Sequence, residues 1–237
     1  MKVRMYNVGF GDCFCLRDRK KSLLVDFGTN NSRIEGRPRR EIFDVIISDL
    51  STIKSKNLLL THFHMDHLSG LLYMMKKKDI SVDFGKIYLP DVFSKKEMSR
   101  TLVLLLLADL LKESGLPSRQ VSLFALVDAL LENKQNVELL SRGKLFENKY
   151  QALWPDTDVI RKETDEVYNR ICEDGKFKEV MDVLLEFAEK LRLIVWSMTA
   201  EGNKLAETVE KETDLTASEL TEQPEVRQKI IRAYVYE

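Results

Sequence analysis

Apolar positions along this chain change their period partway through. In residues 1–90 they fall in short runs punctuated by glycine, which is the spacing of strands and tight turns. Residues 3–8 and 13–16 read as strands on either side of the turn Gly9-Phe10-Gly11-Asp12. Leu23-Leu24-Val25 is a third strand, ending on Asp26-Phe27-Gly28, so a buried run delivers an acid to a sheet edge. Ile42, Val45, Ile46 and Leu50 have helical spacing and predict a helix over 41–53, followed by a buried strand at Leu58-Leu59-Leu60. A helix over 67–78 and a strand over 86–89, closed by Pro90, complete an alternation that argues an α/β layer arrangement.

From residue 94 helix dominates. Residues 97–112 are apolar on most faces, which implies burial rather than a surface stripe. Gly115 and Pro117 end that helix, and a second follows over 118–134. Short β-like passages at 137–140, 144–146 and 150–154 precede Pro155, beyond which the pattern is wholly helical. We therefore divide the chain into an α/β domain, 1–155, and a helical region, 156–237. Val180, Val183, Leu184, Phe187, Leu191, Ile194 and Val195 form an apolar stripe expected to pack on the N-terminal layer or on a second copy. Residues 204–220 are polar, with only Leu205 and Val209 as a thin stripe.

Composition narrows the function. The 237 residues are 44% hydrophobic and 32% charged, which excludes a largely disordered chain and a membrane-embedded one. Thirty-seven Lys and Arg against 38 Asp and Glu exclude a surface that grips polyanions everywhere. Any nucleic-acid contact is then local, and Arg33, Arg37, Arg39 and Arg40 are the candidate cluster; a solvated loop is the plainer reading of them. The longest greasy stretch, 102–111, is broken by Asp109 and is shorter than the ~20 residues of a spanning helix, so no membrane is expected. The N-terminus has no apolar core of a secretory signal. Cys13, Cys15 and Cys172 are an odd set without metal-type spacing, so reduced thiols and a cytoplasmic location are expected, with Cys13 and Cys15 buried in a strand.

The chemistry is concentrated in Thr61-His62-Phe63-His64-Met65-Asp66-His67, where all three histidines of the protein lie within six residues. Imidazole and carboxylate suit zinc and neighbouring divalent metals. A strand ending in a turn can hold His62 and His64 on one side, and Asp66 and His67 can face a second ion just beyond. Two such ions divide labour between nucleophile and leaving group. Asp66 also reads as an N-cap for the next helix.

This segment resembles the HxHxDH signature of the metallo-β-lactamase superfamily. Leu24-Val25-Asp26-Phe27-Gly28 is similar to the family's first motif. Val8-Gly9-Phe10-Gly11-Asp12 resembles the VGxGD opening of the branch that includes the soluble domain of DNA-uptake channel proteins. Ala152-Leu153-Trp154-Pro155 resembles a later strand of that branch. The resemblance implies the N-terminal part of an αββα sandwich followed by a helical region. It implies a metal-dependent hydrolase acting through a metal-bound hydroxide, with a phosphodiester or nucleic-acid substrate. Carried over, His62 and His64 hold one ion, Asp66 and His67 a second, Asp66 is the catalytic residue, and Asp26 orients a ligating imidazole. Zinc, manganese or another divalent cation is the implied cofactor, two ions if the site is complete.

The family's later ligands are a histidine, a bridging aspartate after glycine, and a final histidine. This chain has no histidine after His67 and no Gly-Asp pair after Gly11-Asp12. Asp91 and Asp156 follow strand-like runs and either point at a site or cap local turns. The sandwich's second half is missing from the pattern, as if the chain stopped inside a helical insertion, and half a sandwich leaves an apolar face for a homodimer partner or a second polypeptide. The alternatives are an enzyme completed by other groups, a degenerate or truncated metal-binding module acting as a non-catalytic interaction protein, and a nucleic-acid binder using the arginine cluster.

Overall fold

A computed structural model describes residues 1–18, 21–77, 83–113, 123–133, 135–200 and 202. They fall into two compact units, one within Met1–Leu89 and Ala129–Glu138, the other within Pro90–Asp128 and the described residues from Leu139 onward. The chain first passes from one unit to the other at Leu89–Pro90. Residues 204–220, the thinly striped polar segment, lie outside the described residues.

The first unit opens with β1 (Lys2–Met5), β2 (Phe14–Asp18) and β3 (Lys21–Val25). A small hairpin of β4 (Arg33–Ile34) and β5 (Arg37–Pro38) leads into α1 (Arg39–Ser51). Then come β6 (Ser55–Leu59), α2 (Met65–Met75) and β7 (Ile87–Pro90). The later part of the chain adds α3 (Ser99–Glu113), α4 (Leu123–Glu132), β8 (Val137–Leu140), β9 (Leu145–Phe146), β10 (Tyr150–Gln151), α5 (Thr157–Glu173) and α6 (Lys178–Ser197). The six-stranded sheet runs β1-β2-β3-β6-β7-β8. Its β1/β2 and β2/β3 pairs are antiparallel, and β3/β6 and β6/β7 are parallel. This is the mixed α/β architecture expected.

Register explains which side chains the sheet buries. Cys15, Leu24, Leu58 and Ile87 lie in line across four strands and are all but inaccessible. Arg4 and Arg17 flank them and both reach Asp49 of α1, at 2.7 and 2.8 Å. Phe27 meets Phe43 of α1 edge-on at 5.3 Å, and Tyr73 of α2 donates to Asp44 of α1 at 2.9 Å. On β1 the alternate positions Val3 and Met5 are 59% and 71% exposed.

Within the second unit, α6 buries Val180, Met181, Leu184, Phe187, Ala188, Leu191, Ile194 and Val195. Its partners there are α3 and α5, with Phe187 beside Phe124 at 5.6 Å. The stripe thus has its cover in that unit's own helices. The β-like passage over 150–154 shrinks to Tyr150–Gln151, with Leu153 and Trp154 exposed.

Candidate metal centre

Three pieces of backbone converge to build the site: the turn after β1, the exit of β3 and the first turn of α2. Asp12 N–H donates to Asp66 C=O at 3.1 Å, Gly28 N–H to Asp12 C=O at 3.2 Å, and Phe27 N–H to His67 C=O at 2.7 Å. Such close approach needs residues without a Cβ. A Cβ on Gly11 would stand 2.3 Å from Gly28 O, and one on Gly28 would stand 2.6 Å from both Leu68 N and Met65 O. The two glycine motifs are therefore there to let backbone touch backbone around the acids they adjoin.

Asp26 sits where β3 leaves the sheet, at a left-handed φ of +55°. Few residues other than glycine take that conformation, though Asp is one of the more tolerant. The carboxylate is held from several sides. Thr61 N–H donates to Oδ1 at 2.8 Å and Thr61 Oγ1–H to Oδ2 at 2.7 Å. His67 Nδ1 lies 2.9 Å from the same Oδ2. A carboxylate only accepts, so Nδ1 of His67 carries the proton and Nε2 keeps its lone pair. Thr61 spends its hydroxyl hydrogen on Asp26 and is left as an acceptor toward His62 Nδ1, 3.1 Å away. That bond frees Nε2 of His62 by the same logic.

The freed nitrogen of His67 faces two acids. His67 Nε2 stands 3.7 Å from an oxygen of Asp66 and 3.7 Å from one of Asp12. Donor atoms of His62, Asp66 and His67 all lie within 4.8 Å of one another, as do those of Asp12, Asp26 and His67. The His62 and His67 rings are 3.6 Å apart between centroids. His64, the residue preceding α2, stands edge-on to His62 at 4.8 Å and belongs to neither convergent set. The structure thus brings His62, Asp66 and His67 together and leaves His64 on the rim beside them.

Burial disfavours charge on His62, and the neighbouring His67 and His64 add repulsion, so its pKa falls below the usual imidazole value. Burial acts the same way on His67, but the Asp26 hydrogen bond and the charges of Asp26, Asp66 and Asp12 outweigh it and raise its pKa. A site that draws a proton to one imidazole is one that attracts positive charge. Imidazole nitrogens with fixed tautomers beside carboxylates suit a divalent cation.

Asp91 and Asp156 are both engaged locally. Asp91 accepts from Ser94 N–H at 3.1 Å and Ser94 Oγ at 2.7 Å. Asp156 caps α5 through Asp158 and Val159 N–H and pairs with Arg142 at 2.9 Å. Two contributors carry no strong sequence signal, Asp12 and Thr61. The hint for Asp12 is its place at the end of a glycine-rich turn, and for Thr61 its position directly after the apolar triplet. The arginine cluster spans a hairpin, which carries Arg33 and Arg37, and the start of α1, which carries Arg39 and Arg40; the hairpin's turn, Glu35-Gly36, has positive φ at both residues, the geometry a two-residue hairpin needs. Arg33 donates to Gly36 C=O at 2.6 Å, while Arg37, Arg39 and Arg40 are exposed. Cys13 and Cys15 are buried free thiols.

The Metallo-beta-lactamase superfamily model matches residues 6–91, the N-terminal part that carries this fold and cluster. The chain is also similar to Endoribonuclease YSH1 of Mycosarcoma maydis, 32% identical over 77 residues. That match covers 32% of this chain and 8% of the relative's length. No solved structure matches at a comparable level. Among the described residues, no helix is long and apolar enough to cross a membrane.

Proposed function

We propose that this chain is a metal-dependent hydrolase acting on phosphodiesters of nucleic acid or nucleotides, with His62, His64, Asp66 and His67 as the ligands. The observation that carries it is the pair of imidazoles whose Nδ1 atoms are tied down by Asp26 and Thr61, with Nε2 of His67 turned toward Asp66 and Asp12. Zinc or manganese, when bound there, supplies Lewis acidity toward a phosphoryl oxygen and lowers the pKa of water. Asp26 orients His67 and fixes its tautomer. Asp66, with its side chain a quarter exposed, is placed both to ligate and to accept a hydrogen of attacking water. The phosphodiester preference draws on the likeness to an endoribonuclease and on the basic hairpin. That hairpin is fastened to the turn bearing Asp12: Asn31 accepts from Phe10 N–H at 2.7 Å, and Glu35 accepts from Asn7 at 2.7 Å.

The ligand inventory favours a second reading, a degenerate module that binds an ion or a partner without turnover. Catalytic zinc needs three protein ligands and an open position, so four ligands divided between two ions leave each short. Hydrolysis of a generic phosphodiester, stimulated by Mn²⁺ and lost in His64→Ala, supports the enzyme. Ion binding without turnover supports the module. The open edge at Val3 and Met5 is where a second copy or another polypeptide would complete the layer.

A further inference from the structure

Asp12 lies far from the histidine segment in sequence, yet it is held against it by backbone alone. Its N–H is given to Asp66 and its C=O accepts from Gly28, so the residue is clamped between the start of α2 and the exit of β3. Its side chain is 44% exposed, and its oxygen stands 3.7 Å from His67 Nε2. Asp66 stands at the same distance from the same nitrogen.

That distance discriminates between two arrangements. A direct hydrogen bond from nitrogen to carboxylate closes to about 2.7–3.2 Å. The opposite nitrogen of the same ring does so, at 2.9 Å from Asp26. Donor atoms around a tetrahedral ion bound at about 2.0–2.2 Å are separated by about 3.3–3.6 Å. The separation of each acid from His67 Nε2 is close to that of ligands around an ion. Asp26 cannot fill this role equally well, because both its oxygens are spent on Thr61 and His67.

We infer that Asp12 is itself a ligand, joining His67 on a divalent cation. The inference rests on the metal-binding reading above and goes beyond it by adding a residue from the glycine turn.

The test is metal binding rather than turnover. Zinc affinity is measured by chelator competition on the full chain and on Asp12→Asn, which keeps size and backbone. Cobalt spectra are recorded on Asp12→Cys against the unmodified protein, with metal-free melting curves confirming that both variants fold. The expected results are at least about a tenfold loss of zinc affinity in Asp12→Asn and a new thiolate-to-cobalt charge-transfer band in Asp12→Cys. Unchanged affinity in Asp12→Asn, or cobalt bound by Asp12→Cys without the band, overturns the assignment while leaving the metal site standing. An unmodified chain that takes up no ion overturns both.

Discussion

The Asp26 carboxylate lies 2.9 Å from Nδ1 of His67 and is reached through a backbone turned into the left-handed region. The carboxylate is almost completely buried, and the imidazole it holds is the one group common to both convergent donor sets. Sheet exit and helix start are thus joined by the bond that determines which nitrogen of His67 is available.

Replacing Asp26 by Asn should therefore cost metal affinity without removing a ligand. Outer partners of metal-bound histidines are worth about 10–100-fold in affinity. Chelator competition on Asp26→Asn should show a loss in that range. Affinity equal to that of the unmodified chain would mean His67 is oriented by something else.

Gly28→Ala should destabilise the fold as well as the site, because the added methyl meets backbone atoms at 2.6 Å that cannot swing aside. Overpacking of this kind costs about 1–3 kcal/mol. A methyl on Gly175 would enter open space, with nothing within 4 Å, so Gly175→Ala should stay within about 0.5 kcal/mol of the parent. Urea unfolding of both variants checks the contrast, and equal stabilities would refute the close-packing account of the glycine motifs.

In metal-free protein the two histidines should titrate on opposite sides of the unperturbed value of about 6.5. His67, whose pKa is raised, lends stability at pH below the unfolded value and loses that contribution as pH climbs through its folded value. His62, whose pKa is lowered, acts in the opposite sense: its contribution is lost as pH falls toward its folded value. Imidazole NMR titration should give His67 the higher midpoint. A reversed order would contradict the Asp26 anchor.

If the hairpin and the start of α1 steer nucleic acid, replacing Arg37, Arg39 and Arg40 together should weaken RNA retention and flatten its salt dependence. For a single strand, each phosphate left without its arginine makes the slope of log K against log salt shallower by about 0.7. An unchanged slope would leave these arginines as a solvated face.

Much of this arrangement is legible in the amino-acid order because burial writes itself as apolar runs. Leu23-Leu24-Val25 and Leu58-Leu59-Leu60 lie in adjacent central strands, where both faces are covered and no polar alternation is required. Helices α1 and α6 announce themselves by apolar residues at three- and four-residue spacing. The hairpin β4–β5 does not, since two-residue strands are too short to show a period and Glu35-Gly36 is a weak turn signal beside Asn-Gly. For Asp91 and Asp156 the amino-acid order allows either a site acid or a cap, and only their local partners decide for the cap. The part of Asp12 is hidden for a different reason: its proximity to His67 depends on two glycines letting separate segments touch, a long-range fact with no local signature.

The central claim is that the bend around His67 holds a divalent cation. Elemental analysis after zinc loading and gel filtration, on the full chain and on His67→Ala with its fold verified by circular dichroism, tests it most directly. One to two bound equivalents, abolished in the variant, is the expected result. Less than about a tenth of an equivalent on the unmodified chain, where a site of three or more such donors should retain zinc, would contradict it.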